Sequence, residues 1–341
     1  MKYSLLFILF ISFISCEEDT KKAKVLQGNA FGTSYTIQYF SEVSFNAEKG
    51  LDSVFAAVNK SVSTYIPQSD ISRINQGDTT VVTDAIFKDV FRLSEEVYTN
   101  SNGYFDPTVG TLRNAYGFGD VAPIKEIDSV VLDSLRKYVG FNKVRLLEDG
   151  TIRKEYPEIY FDFNAVAKGY GIDMVGRYLE NQGVTNFVIE LGGEVLAKGK
   201  NLSKNKLWTA GIESVDSEVD SREFLASVRL ENEAMAASGN YRKFRINPTT
   251  GKKYVHTINP LTGFAIENDV TSATVIAPTC AMADAYATTF MAMGLEGSKL
   301  LLAATDNIEA YITYTTSTAE NGVFSTQGFK NRLFENFNAS E

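Results

Sequence analysis

The apolar positions of this chain change period several times, and each change predicts an element. Over residues 25–39 apolar and polar side chains alternate, and many of the apolar ones are β-branched or aromatic. A period of two belongs to a strand with one buried face. Gly28 and Gly32 break the run, so it reads as two short strands or one bent one. Leu51, Val54, Phe55, Val58 and Val62 then fall on one helical face. Ile86, Val90, Leu93 and Val97 do the same in a helix that starts near Thr83 and stops at Gly103.

Further on, residues 159–163 predict a strand, followed by a helix through Met174 and Leu179 that ends at Gly183. Residues 186–191 predict another strand, stopped by Gly192-Gly193, and 208–212, 226–230 and 271–276 predict three more. Pro278-Thr279 opens a helix running from Cys280 to about Met293. Residues 203–223 are polar and read as a surface excursion. Strands and helices mix without a strict alternation, and hairpin-length spacings are common. That pattern favours an α+β fold over a doubly wound parallel sheet.

The first residues stand apart from this pattern. Lys2 gives a positive start, and residues 5–14 are an apolar run too short for a permanent span of a bilayer ~30 Å thick. The run ends in Ser15-Cys16, which resembles a bacterial lipoprotein signal with Cys16 as the lipid-modified first residue. An ordinary secretory signal with an incidental cysteine is the alternative. The organisation that follows is a signal peptide over 1–15, a polar tether over 16–24 and a globular body over 25–341. The expected setting is an exported protein, anchored by lipid to a bacterial membrane and facing the periplasm.

Composition narrows the function. Hydrophobic residues are 44% and charged residues 22% of the 341, ordinary for a folded body that can bury a sizeable core. A net charge of -9 argues against nucleic acid, because nothing neutralises a polyanion broadly. With Cys16 lipidated, Cys280 has no partner for a disulfide, and its small apolar neighbours suit a buried, inert thiol.

His256 is the only histidine, which excludes multi-histidine zinc sites. No phosphate loop with Gly-Lys-Ser/Thr is present. Gly117-Phe118-Gly119 before Ala122 fits the loose dinucleotide pattern, but no buried strand precedes it and Pro123 follows. The informative residues lie elsewhere. His256 precedes Pro260, Thr262 and Gly263, a turn by composition, so it sits at a strand end before a fixed loop. Asp284 and Thr288 share a helical face and offer hard oxygen ligands suited to Mg²⁺; alternatively Thr288 bonds back to its own helix and Asp284 is merely exposed. Asp162 and Lys168 flank a strand-to-helix turn whose free N–H groups suit phosphate, although helix capping alone would also explain Asp162. Tyr104 and Phe105, with Asp106, close the 83–103 helix and either stack on a flat ring or pack in the core.

Taken in order, these segments resemble the ApbE family of flavin transferases. The resemblance runs through Gly32-Thr33, Ser63-Thr64-Tyr65, Asp70, Asn75, the 103–108 stretch, residues 162–173, Glu190-Leu191-Gly192-Gly193, Ser238 to Arg242, His256 to Gly263, and Ala283-Asp284-Ala285 up to Gly294. It implies largely antiparallel sheets with flanking helices and a central FAD cleft. By the resemblance, Phe31, Tyr65, Tyr104, Phe105, Asp106, Asp162, Lys168 and Ile258 contact FAD, and the backbone oxygen of Ala165 joins Asp284 and Thr288 around Mg²⁺. Some relatives carry another carboxylate where Ala287 stands, so fewer protein ligands and more water are expected here. The implied reaction moves the FMN half of FAD to a Ser or Thr hydroxyl of an exported or membrane flavoprotein and releases AMP. His256 would take the proton of that hydroxyl. A Mg²⁺-dependent FAD pyrophosphatase and a non-enzymatic flavin-binding lipoprotein are the two rival readings.

Overall fold

The computed structural model describes residues 22–119, 121–213, 224–240, 244–246, 251, 253–265 and 268–334. The expected signal peptide, Cys16, most of the tether, Tyr241, Arg242 and the end of the polar excursion lie outside the described residues.

Eight strands form the central sheet: β1 (Lys24–Ala30), β2 (Thr33–Phe40), β3 (Asn186–Leu191), β4 (Glu194–Lys198), β5 (Ala234–Gly239), β6 (Val270–Ala277), β7 (Glu309–Thr315) and β8 (Asn321–Ser325). Their order across the sheet is their order in the chain, and every neighbouring pair is antiparallel. The expected α+β class with antiparallel sheets holds. The 25–39 alternation becomes a hairpin whose turn is Phe31-Gly32, both at positive φ, a combination that matches the twist of the flanking strands.

Six helices enter between β2 and β3: α1 (Ala47–Val62), α2 (Asp70–Asn75), α3 (Ala85–Asn100), α4 (Gly110–Tyr116), α5 (Ser129–Arg136) and α6 (Ala167–Asn181). A seventh, α7 (Cys280–Ala304), lies between β6 and β7. The apolar faces read from the sequence are the buried ones: Leu51, Phe55, Val58 and Val62 in α1, and Val90 and Val97 in α3. Side-chain caps start both helices, Asn46 accepting from the Lys49 N–H and Asp84 from the Phe87 N–H. α7 is buried nearly all round, which its alanines allow. It is interrupted at Gly294 (φ 79°), where the Asp269 carboxylate accepts from the Leu295 N–H and restarts the helix.

Alternation along the strands sorts the core into two sides. Ile189 and Leu196 face the helices, while Val195, Ala197, Met235 and Ile276 face Trp208, Val228 and Leu230 on the far side. That far layer is a small antiparallel sheet of Trp208–Glu213, Phe224–Leu230 and Leu333–Phe334. The molecule is therefore helices, large sheet and small sheet in sequence.

The strand expected over 159–163 does not form. Tyr160 makes only an isolated bridge to Val109, and the segment is held by side-chain and loop contacts instead. Asn75 donates to the Phe161 carbonyl at 2.9 Å and accepts the Phe161 N–H at 2.8 Å, and the Asp162 N–H donates to the Pro107 carbonyl. A run of large apolar residues looks like a buried strand by composition, yet it needs a ladder partner to become one. Here Phe161 and Phe163 fill the core against Phe87 from an irregular backbone.

Candidate functional site

One end of the central sheet carries the Phe31-Gly32 and Gly192-Gly193 turns and the start of β4, with Ser238 of β5 beside them. Two helix N-termini converge there. α6 begins after Val166 with no side-chain cap, and α7 begins after Thr279, whose hydroxyl accepts from the Met282 N–H. The two helices close each other crosswise. Asp173 of α6 accepts from the Cys280 and Ala281 N–H groups of α7, at 2.8 and 2.9 Å. Asp284 of α7 accepts from the Gly169 N–H of α6 at 3.2 Å. Each carboxylate meets donors that a helix start leaves unpaired. The approach is close because residue 169 is glycine: a Cβ there would stand 2.4 Å from the Cys280 carbonyl oxygen.

Asp284 is 6% exposed, so it is not a surface aspartate. Thr289, its neighbour Thr288's successor, bonds back to the Ala285 carbonyl, whereas the Thr288 hydroxyl lies 3.4 Å from that of Ser238. The Thr288 hydroxyl is thus turned toward Ser238 of the central sheet. Ala165 is half-buried just before α6. Among the described residues no group of three or more His, Cys, Asp or Glu could enclose a metal ion. The Asp284 carboxylate and the Thr288 hydroxyl are hard oxygen donors, too few for an all-protein cage. They fit Mg²⁺, which retains waters and takes phosphate oxygens from a substrate.

Lys168 adds the positive charge. Its Nζ is 2.5 Å from a carboxylate oxygen of Glu194, whose side chain is almost fully buried, and 3.5 Å from the Gly192 carbonyl. Burial pulls the Lys168 ammonium toward its neutral form, but Glu194 and Asp284 outweigh this and hold it above its usual value. Burial pushes the Glu194 carboxyl up, against the opposing pull of Lys168. Glu194 was not singled out in the sequence. It follows Gly192-Gly193 directly, and a carboxylate beginning a strand after a glycine turn was the available signal. Glu190, in contrast, braces that turn by accepting from the Gly193 N–H at 2.8 Å.

A second group lies around Asp162. One of its oxygens pairs with Arg113 at 2.5 Å and the other accepts from the Asn164 N–H at 2.8 Å. The same guanidinium donates to the Tyr65 hydroxyl at 3.1 Å. Tyr65 is 65% exposed, an unusual position for so large a ring. Phe31 is half-buried, its ring edge-on to Phe55 at 5.4 Å and close over Gly171. Tyr104 is half-buried too.

Three residues assigned to FAD by resemblance have their side chains taken up by the protein. Phe105 is in the core. Ile258 is buried beside Leu112, Tyr116 and Leu132. Asp106 accepts from the Thr108 N–H and hydroxyl and from the Phe141 N–H, and burial raises its pKa to about 6.

His256 is half-buried directly after the short strand Lys253–Val255, as the sequence predicts. The loop beyond it is braced by Asn259, whose side chain accepts from the Leu261 and Thr262 N–H groups and donates to the Ala292 carbonyl of α7. Gly263 takes φ 76°, and its carbonyl accepts from the Tyr116 hydroxyl. Cys280 is fully buried, and burial pushes its thiol well up, which fits an inert packing role.

An antiparallel sheet carrying an ammonium, hard oxygen donors and helix N-termini at one end describes an α+β protein suited to a phosphorylated ligand. The ApbE family model matches residues 31–312, and the chain belongs to that family. It is 33% identical over 320 residues to the FAD:protein FMN transferase of Haemophilus influenzae, covering 90% of each chain. To that of Vibrio cholerae it is 34% identical over 292 residues, covering 82% of this chain and 84% of the relative. The solved flavin transferase ApbE from Vibrio cholerae superposes with a TM-score of 0.79 at 31% identity, covering 92% of this chain and 99% of that one.

Proposed function

We propose that this chain transfers the FMN half of FAD to a Ser or Thr hydroxyl of an exported or membrane flavoprotein, in a Mg²⁺-dependent reaction that releases AMP. The observation that carries the reading is the meeting of Lys168 and Asp284 at the start of α6, with Thr288 one turn further along α7 beside Ser238, in a chain whose relatives are named FAD:protein FMN transferase. Asp284, Thr288 and the Ala165 carbonyl would hold the metal ion, which would supply charge neutralisation for a pyrophosphate. Lys168, fixed by Glu194, would offer its charge to the same phosphates. Phe31, Tyr65 and Tyr104 offer aromatic surface for the flavin. His256 accepts the proton of the acceptor hydroxyl, whose oxygen attacks the phosphorus of the FMN half. A phosphoester to the acceptor forms as the bond to AMP breaks. The anchor belongs to the same proposal: lipid on Cys16 would keep the body at the membrane, facing the periplasm.

The test is to mix the mature protein with FAD, Mg²⁺ and an acceptor domain, and to follow fluorescent flavin on the acceptor together with AMP. Both products should form, and a chelator should stop both. His256→Ala should slow transfer by about 10²-fold or more. AMP without labelled acceptor would replace this reading with FAD hydrolysis, and bound FAD without AMP would make the protein a flavin carrier.

A further inference from the structure

Tyr65 presents a puzzle of orientation. It is 65% exposed, and no other ring among the described residues stacks on it to fix its angle. Arg113 donates a 3.1 Å hydrogen bond to its phenol oxygen. Arg113 is itself held from the other side: its side chain is 19% exposed and pairs at 2.5 Å with Asp162, which is 5% exposed. Asp162 is anchored in turn by the Asn164 N–H at one carboxylate oxygen and through its own N–H to the Pro107 carbonyl. The chain of contacts runs from the backbone ahead of α6, through a planar guanidinium, to an exposed ring at the rim of the site. A planar fork with two donors can hold two partners at a fixed angle, which a lysine ammonium cannot.

We infer that Arg113 is a positioning residue for the flavin: it fixes the Tyr65 ring as a flat platform and compensates the buried charge of Asp162. The inference rests on the reading of FAD as the ligand. An exposed tyrosine free to turn loses side-chain freedom when a ring stacks on it, and a tyrosine already pinned does not. Arg113 therefore acts through Tyr65 and Asp162 without itself touching the reacting phosphate. Burial works against the charge of Arg113, and Asp162 and the Tyr65 hydroxyl restore it, so the three groups hold one another.

The test is a double-mutant cycle on FAD affinity, measured by calorimetry with Mg²⁺ and the full mature chain. Tyr65→Phe keeps the ring and removes only the tie; it should weaken FAD about five- to tenfold with the melting temperature unaltered. Arg113→Ala should weaken FAD by at least as much. Adding Tyr65→Phe to Arg113→Ala should cost less than about twofold more, because the tie is already gone. Arg113→Lys should recover melting temperature more than affinity. With acceptor present, the rise in KM for FAD should exceed any fall in kcat. The inference is overturned if Tyr65→Phe binds FAD like the parent, or if the two substitutions multiply independently. A parent protein that binds no FAD would instead overturn the ligand reading and this inference with it.

Discussion

At the scale of the residue, glycine 169 decides how near two helices come. Replacing it with alanine would raise helix propensity by about 1 kcal/mol in α6. The new Cβ, however, would stand 2.4 Å from a backbone carbonyl that cannot swing aside. Overpacking of that kind costs about 1–3 kcal/mol, so the clash wins. Gly169→Ala should lower stability in urea denaturation and lengthen the Gly169–Asp284 contact. Metal-dependent FAD binding should weaken in the same variant; a more stable protein would refute the argument. Asp284 and Thr288 were legible because four-residue spacing on a helix is a geometric statement. Arg113 was not, since its partner Tyr65 lies 48 residues earlier and no period connects them.

At the scale of the element, the crosswise closure of α6 and α7 predicts a pH dependence. Burial raises the Asp173 carboxyl from 3.8 to about 6, only partly offset by the Ala281 and Cys280 N–H donors. The folded protein therefore keeps this proton up to about pH 6, while the unfolded chain releases it near 3.8. Between those values the folded state binds more protons, so this group's contribution is present at low pH and lost as pH rises. Two units correspond to about 3 kcal/mol. Denaturant titrations should show the stability of the parent falling relative to Asp173→Asn between pH 4 and 7. A relative rise would identify Asp173 as an ionised helix cap instead. The helices themselves were readable from the 3.6 period and from caps such as Asp84. The 159–163 segment was misjudged because its strand-like composition reflects core filling by Phe161 and Phe163, and the Asn75 clamp that replaces a ladder leaves no local pattern.

At the scale of the molecule, the layers followed from the sequence only in part. The α+β class, the hairpins and the strands at 208–212 and 226–230 were legible from changes of period, whereas the third strand of the small sheet was not, because Leu333–Phe334 joins Phe224–Leu230 across a long stretch of chain. Among the described residues no helix is long and apolar enough to cross a membrane. The lipid anchor proposed on Cys16 makes its own prediction: Cys16→Ser should move the protein from the membrane to the soluble fraction on fractionation while in vitro transfer persists. Retention in the membrane would remove the lipid anchor from the proposal.

The strand order has a consequence for how the chain comes together. β2 pairs with β3, Phe40 against Asn186, yet six helices are synthesised between them. The first hairpin can close at once, but its continuation must wait until the middle of the chain exists, and closing so long a loop is slow. Phe31, at the tip of that early hairpin, meets Gly171 of α6 only then. The Phe31 end of the site is thus a late product of folding, assembled by the same event that joins the two halves of the sheet.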